Sequence, residues 1–159
     1  MISKAYSVQF DINPKSDKES YNVIYMWDGT DMVSSVYFHH THESSKFSIC
    51  TKFNKKVHFC NADKVLPPLH AWTTVNITQK QKGSDYIYTA KLNNTVVATY
   101  VNSEPEEKYN VHIFYGLHPD QGSTRNFVII PNTEGKDVED GIDLSKSKIR
   151  LFCKRNALK

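Results

Sequence analysis

Between Trp72 and Asn132 apolar and polar residues alternate in short runs: AWTTVNITQ, SDYIYTAKL, TVVATYV, KYNVHIFYG and TRNFVIIPN, each closed by a turn. Successive side chains of a strand point to opposite faces, so this period of two predicts five half-buried β-strands. The N-terminal third reads the same way. KAYSVQFDI puts Tyr6, Val8, Phe10 and Ile12 in phase, and after the polar turn NPKSDKES the segment SYNVIYMWD puts Tyr21, Val23, Tyr25 and Trp27 in phase. VSSVYFHH and the hairpin FSICTKFNKKVHFC follow, so five strands precede residue 62. ADKVLPPLHAW is a linker stiffened by Pro67 and Pro68, which cannot continue a central strand. Ten or eleven strands without a helical stretch imply two facing sheets, an all-β antiparallel sandwich.

Two turns carry specific expectations. Asn93-Asn94 lies between AKL and TVVATYV as a two-residue hairpin turn, because Asn tolerates the positive φ required there. In the cysteine hairpin a turn near Lys55 sets Cys50 opposite Cys60, Thr51 opposite Phe59 and Phe53 opposite Val57. That register keeps Ile49, Thr51, Phe53, Val57 and Phe59 on one face and both thiols on the other. In an oxidising compartment Cys50 and Cys60 are placed for a cross-strand disulfide; in a reducing one they are two separate thiols. Cys153, in phase with Leu151 and Ile149, reads as a small buried hydrophobe.

The length of 159 residues suits one domain, 1–159. After Pro131 the stretch NTEGKDVEDGIDLSKSK is polar and turn-rich, so 132–147 reads as a long polar loop or linker that delivers KIRLFC as an edge strand beside the N-terminal strand. Twenty Lys+Arg against seventeen Asp+Glu give a net charge of +3, too scattered for the basic stripe of a nucleic-acid binder. No run approaches the roughly 18 apolar residues of a membrane-inserted span, and MISKAYSVQF lacks the apolar core of a signal peptide. A cytosolic protein, or a piece of a larger one, fits both observations.

The order of the second half is distinctive: W-x-x-V-x-I-T-Q at Trp72 to Gln79, Y-x-Y-x-x-x-L-N-N at Tyr86 to Asn94, the entry E-P-E-E-K-Y-N-V-H-I-F-Y and the exit H-P-D-Q-G-S-T-R-N-F-V-I. Together with YSVQFDI, NVIYMW, VYFHH and FSIC it resembles laminin G-like domains of the concanavalin A-like lectin superfamily, especially the variety found in extracellular proteins of simple animals. The resemblance covers about residues 5 to 131. It implies a jelly-roll sandwich, extracellular or at the cell surface, that binds a glycan or protein partner through rim loops or the concave sheet. It also implies a calcium ion held by a loop aspartate and backbone carbonyls, for which Asp28 and Asp31 in WDGTDM are the candidates and Asp120 in HPDQG a second. Ordinary turn chemistry at Asp-Gly is the competing account. The expected ligand-binding residues are therefore Trp27, Asp28, Asp31, His118 and Asp120, with Tyr37, Tyr100 and Tyr115 as further stacking candidates, while Arg125 and Asn126 are expected to hold the last strand of that region in place.

Other constellations favour plainer readings. His39, His40 and His42 crowd one strand end, but no CxxC or HExxH accompanies them, so a solvated strand end is expected rather than a zinc site. Paired carboxylates would be needed for glycoside hydrolysis, and the comparable run Val138 to Asp143, with Glu139 and Asp143, sits in the polar tail without strand alternation. The chain is expected not to be an enzyme. Two sequons occur, at Asn76 and Asn93, and Asn93 on the hairpin tip is the expected glycosylation site. A homo-oligomer built through uncovered sheet edges is the alternative to ligand recognition.

Overall fold

The computed structural model describes residues 2, 4–54, 57–61, 66–132 and 150–153, with 53, 57–61, 131, 132 and 150–153 described as backbone only. Among the described residues eleven strands are present: β1 (Ala5–Pro14), β2 (Tyr21–Trp27), β3 (Met32–His40), β4 (Ser45–Phe53), β5 (Val57–Asn61), β6 (Thr73–Lys82), β7 (Asp85–Leu92), β8 (Thr95–Asn102), β9 (His112–Tyr115), β10 (Gly122–Asn132) and β11 (Arg150–Cys153). They form a five-stranded sheet in the order β10-β1-β6-β7-β8 and a six-stranded sheet in the order β11-β9-β2-β3-β4-β5. The chain passes back and forth between the sheets, giving an antiparallel jelly-roll sandwich as expected.

One expectation about the closure is corrected. β10, not the C-terminal strand, pairs with β1, and β11 runs parallel to β9 at the edge of the other sheet. The polar loop expected over 132–147, the carboxylates Glu139 and Asp143, and the Cys153 side chain lie outside the described residues or side chains.

The inward faces follow the alternation in most strands. Tyr6, Val8, Phe10 and Ile12 of β1 are all buried, as are Val75 and Ile77 of β6 and Phe38 and Ile49 opposite. Each such side chain contributes roughly 1.5–3 kcal/mol by leaving water, and together they press the sheets into one core. Two tyrosines run through it. Burial pushes the Tyr6 hydroxyl up to about 12, with the Thr51 side chain of the facing sheet hydrogen-bonded to it. Tyr88 is likewise held well above the ordinary range by burial and by the neighbouring Tyr6 and Tyr100. The Tyr6–Thr51 contact ties β1 to β4 across the core.

The turns match their residues. Asn93 and Asn94 both have positive φ, 46° and 69°, in the expected hairpin turn. The cysteine hairpin has the expected register, with Cys50 opposite Cys60, Thr51 opposite Phe59 and Phe53 opposite Val57. Gly122 at the start of β10 has φ 146°, and a Cβ there would sit 2.4 Å from the Asn13 carbonyl oxygen, so the close approach of β10 to β1 requires glycine.

Arg125 and Asn126 anchor β10 as expected. β10 carries an extra residue opposite Gln9–Asp11 of β1, and Asn126 takes a positive φ there. The buried Asp11 carboxylate accepts from Thr74 Oγ1 at 2.7 Å, Asn126 Nδ2 at 2.7 Å and Arg125 Nε at 3.2 Å. The Arg125 guanidinium also lies 3.9 Å from the centre of the Trp72 ring. Burial alone would raise the Asp11 carboxyl, but the hydrogen bonds from Thr74, Asn126 and Arg125 outweigh it and hold it low. One carboxylate therefore joins β1, β6 and β10. Replacing Asp11 by Ala is expected to cost about 2 kcal/mol of unfolding free energy, because three donors lose a charged acceptor. Urea denaturation checks it; a loss below about 0.5 kcal/mol, the size of an ordinary surface change, would contradict the anchoring role.

Candidate functional site

The outward face of the six-stranded sheet carries aromatic side chains, and a slip in β2 puts them there. Asn22 pairs with Tyr37 but Ile24 pairs with Val36, so β2 holds one extra residue at Val23. Val23, Ile24 and Met26 are all buried, and Tyr25 and Trp27 turn to the outer face. The expectation that Tyr21, Val23, Tyr25 and Trp27 share one face is thus corrected after Val23. The physical reason is the core: aliphatic Ile24 and Met26 bury without loss, whereas Tyr and Trp would each bring a polar group needing a partner.

Outward residues of β2 and β9 then fall in two rows. Trp27 lies beside His112 with ring centres 6.1 Å apart, and Tyr25 beside Phe114 at 6.4 Å. Trp27 is 37% exposed and Phe114 45%, while Tyr25 and His112 are half-buried beneath them. Across β3 and β4 the same face continues with small buried residues, Ser35, Ser48 and Cys50, then Tyr37 against His39 at 6.4 Å. The other stacking candidates point elsewhere. Tyr115 packs on Phe10 and Phe127 and donates its hydroxyl to the Arg125 carbonyl, and Tyr100 packs beside Tyr88.

The loop Asp28–Asp31 closes one end of this strip. Asp28 Oδ1 accepts from Thr30 N at 3.0 Å, Thr30 Oγ1 at 2.9 Å and Asp31 N at 2.8 Å, an Asx-type turn. Its Oδ2 faces the Lys108 ammonium at 3.2 Å, which also binds Glu106 at 2.9 Å. Asp31 pairs with Lys52 and accepts from Met32 N at 3.0 Å. Burial by itself would raise the Asp28 carboxyl; hydrogen bonds from Thr30, Asp31 and Lys108 prevail and hold it at about 2. A calcium ion wants six to eight oxygens around it. As placed here, Asp28 and Asp31 are each turned to a different ammonium group and do not fit a shared calcium site, and among the described residues no group of three or more His, Cys, Asp or Glu is placed to hold a metal.

Lys108 is held in position from below. Its backbone pairs with Ile2 through two hydrogen bonds of 2.7 and 2.9 Å, and Ile2 is buried. The chain start and the segment before β9 therefore fix the cation that organises the Asp28 loop. Sequence reasoning did not single out Lys108, because Asp28 lies 80 residues away in the chain and no local pattern links the two.

The second predicted loop lies at the opposite end. Trp27 pairs with His112 and Ile24 with Tyr115, so the residues after Trp27 and those after Tyr115 leave the sheet in opposite directions. The sites expected from Asp28–Asp31 and from His118–Ser123 are consequently not brought together. His118 Nδ1 lies 3.2 Å from the Asp120 carboxylate, and Asp120 is 89% exposed. His39, His40 and His42 are exposed, as expected of a solvated strand end, and His40 bonds to Ser20 and Ser45. Asn93 is exposed at its hairpin tip, with its Oδ1 accepting from Thr74 N at 2.8 Å.

No protein-family model and no curated protein matches the chain. Among solved structures it is similar to the native heptameric SAP-like pentraxin from Limulus polyphemus, at 11% identity and a TM-score of 0.48 over 79% of this chain and 63% of that one. The chain thus spans less than two thirds of the pentraxin's length, and a likeness of this degree says nothing about a ligand.

Because the folded-state Asp28 carboxyl lies below its ordinary value of 3.8, its contribution to stability is present above about pH 4 and is lost as pH falls towards 2. Asp28→Asn is expected to flatten the acid limb of the stability curve in that window. Thermal midpoints measured from pH 5 to about pH 2 test this; an acid limb as steep as in the parent protein would contradict it.

Proposed function

We propose that this chain is a non-catalytic recognition module that holds a glycan against the outer face of its six-stranded sheet. The observation that carries this reading is the pair of partly exposed rings, Trp27 and Phe114, supported on half-buried His112 and Tyr25. A flat ring held by strand pairing on both sides is a preorganised platform for the apolar face of a sugar, and it loses little side-chain entropy on binding. Asp28 and Asp31 border the platform and, through Lys108 and Lys52, fix its end rather than supply chemistry. His118 and Asp120, at the other end, take no part in it.

The setting that suits this reading is extracellular or at a cell surface. Cys50 and Cys60 are direct cross-strand neighbours, and we take them to be bonded, with Asn93 glycosylated at its exposed turn. A single free thiol per native chain is the expected result of thiol titration in denaturant without reductant, against three if the pair is reduced.

A second reading has its own support. β8 has one neighbour among the described strands and carries Val96 and Val101 at 52% and 55% exposure, a surface suited to pairing with another copy. Sedimentation across a concentration series separates the two readings, since growth with concentration favours assembly.

The glycan reading is tested on a glycan array followed by calorimetric titration of the best hit with the parent chain and with the Trp27→Ala variant. Trp27→Ala is expected to weaken binding at least about tenfold, or ~1.4 kcal/mol. Binding that survives this change intact would remove the platform from the reading.

A further inference from the structure

A second, separate site lies at the opposite end of the sandwich. There β9 leaves the six-stranded sheet after Tyr115, and the chain crosses to β10 through residues 116–121, while the start of β2 stays paired with β3. Gly116 N donates to the carbonyl of Val23, the extra residue of β2, at 3.1 Å. Between the departing loop and the start of β2 opens a cleft of about 370 Å³ lined by Tyr21, Asn22, Tyr115, Leu117, His118 and Gln121. That volume falls in the range of small-molecule sites.

The cleft wall is held in shape. Gln121 N and Gly122 N both donate to the His118 carbonyl, at 2.8 and 3.1 Å, and His118 N donates to Gln121 Oε1 at 3.3 Å. Lys15 ties the loop to the end of β1 through its backbone bond to the Gln121 carbonyl and through Nζ to the Pro119 carbonyl. The required glycine at 122 locks the exit of the loop against Asn13.

Its chemistry selects a ligand class. The Tyr21 hydroxyl donates to the Ser16 carbonyl at 2.5 Å and the Tyr115 hydroxyl to the Arg125 carbonyl at 3.0 Å, so both meet a ligand as acceptors. Asn22 is exposed, and its amide makes no hydrogen bond to any described residue, which leaves both a donor and an acceptor for the cleft. Gln121 spends its oxygen on the loop and keeps its NH₂. Apart from His118, which faces Asp120, no lining side chain among the described residues can carry a formal charge at neutral pH. Leu117 and the tyrosine rings supply apolar surface.

We propose that this cleft binds a neutral, polyhydroxylated ligand of monosaccharide size, whose hydroxyls donate to the phenol oxygens and accept from the Asn22 and Gln121 amides. Anionic and cationic ligands are disfavoured, because burying an unpaired charge against neutral walls costs more than these hydrogen bonds return. The inference does not rest on the aromatic platform, which lies at the other end of β2.

The test uses the whole chain with methyl glucopyranoside, methyl galactopyranoside and N-acetylglucosamine as neutral probes, and glucuronate and glucosamine as charged ones. NMR titration that follows the Asn22 and Gln121 side-chain amides is expected to give saturable shifts with at least one neutral probe. Asn22→Trp, which fills the cleft, is expected to weaken that binding at least about tenfold, and Trp27→Ala to leave it unchanged. Asn22→Ala, at an exposed position, keeps the thermal midpoint and separates loss of a ligand contact from loss of folding. Absence of shifts with every neutral probe, preference for a charged probe, or undiminished binding by a folded Asn22→Trp would overturn the proposal. Loss of binding in Trp27→Ala instead would assign the sugar to the platform.

Discussion

The aromatic outer face of this protein depends on one slipped residue. Keeping both Val23 and Ile24 in the core obliges β2 to carry an extra residue against β3, and everything after it changes side. Without the slip, Tyr25 and Trp27 would enter the core and Ile24 and Met26 would face water. With it, the aliphatic residues fill the space between the sheets, and the rings line up with His112 and Phe114 on the outside. The same residue accepts from Gly116, which lines the cleft at the far end of β2.

The two sheets resist rearrangement around that slip for different reasons. In the five-stranded sheet, β1 lies between β6 and β10, and the Asp11 carboxylate binds side chains of both neighbours. In the six-stranded sheet, Ser34 and Thr51 turn inward and satisfy their hydroxyls on the backbone carbonyls of Cys50 and Val33. The Ser34 and Thr51 hydroxyls and the Asp11 carboxylate are thus tied to defined partners, which gives the register a specificity that apolar packing alone would not supply. At one end a further chain of amides runs from the Lys4 carbonyl through Gln79 and Asn102 to the Asn54 backbone. It connects the ends of β6, β8 and β4 under the Asp28 loop.

The charged residues near that loop illustrate how a plausible ligand set becomes a structural one. Asp28 and Asp31 sit close in sequence, which suggests a shared cation. In the fold each finds a lysine from a different element, Lys108 beside Ile2 and Lys52 on β4. Carboxylates already neutralised in this way stabilise a turn and keep the border of the aromatic platform in place.

Much of the architecture is legible in the sequence because it follows from local rules. Period-two alternation sets ten of the strands in their places, the Asn93-Asn94 pair marks a turn only such residues adopt readily, and the spacing of Cys50 and Cys60 about a central turn dictates their opposition. What alternation cannot express is a change of phase, since a bulge is decided by which residues the opposing sheet has room to bury. The tertiary structure alone therefore decided that Tyr25 and Trp27 face outward, that the Asp28 and His118 loops lie at opposite ends, and that β10 rather than β11 joins β1. Each of these depends on contacts between residues far apart in the chain, where neither composition nor spacing carries the information.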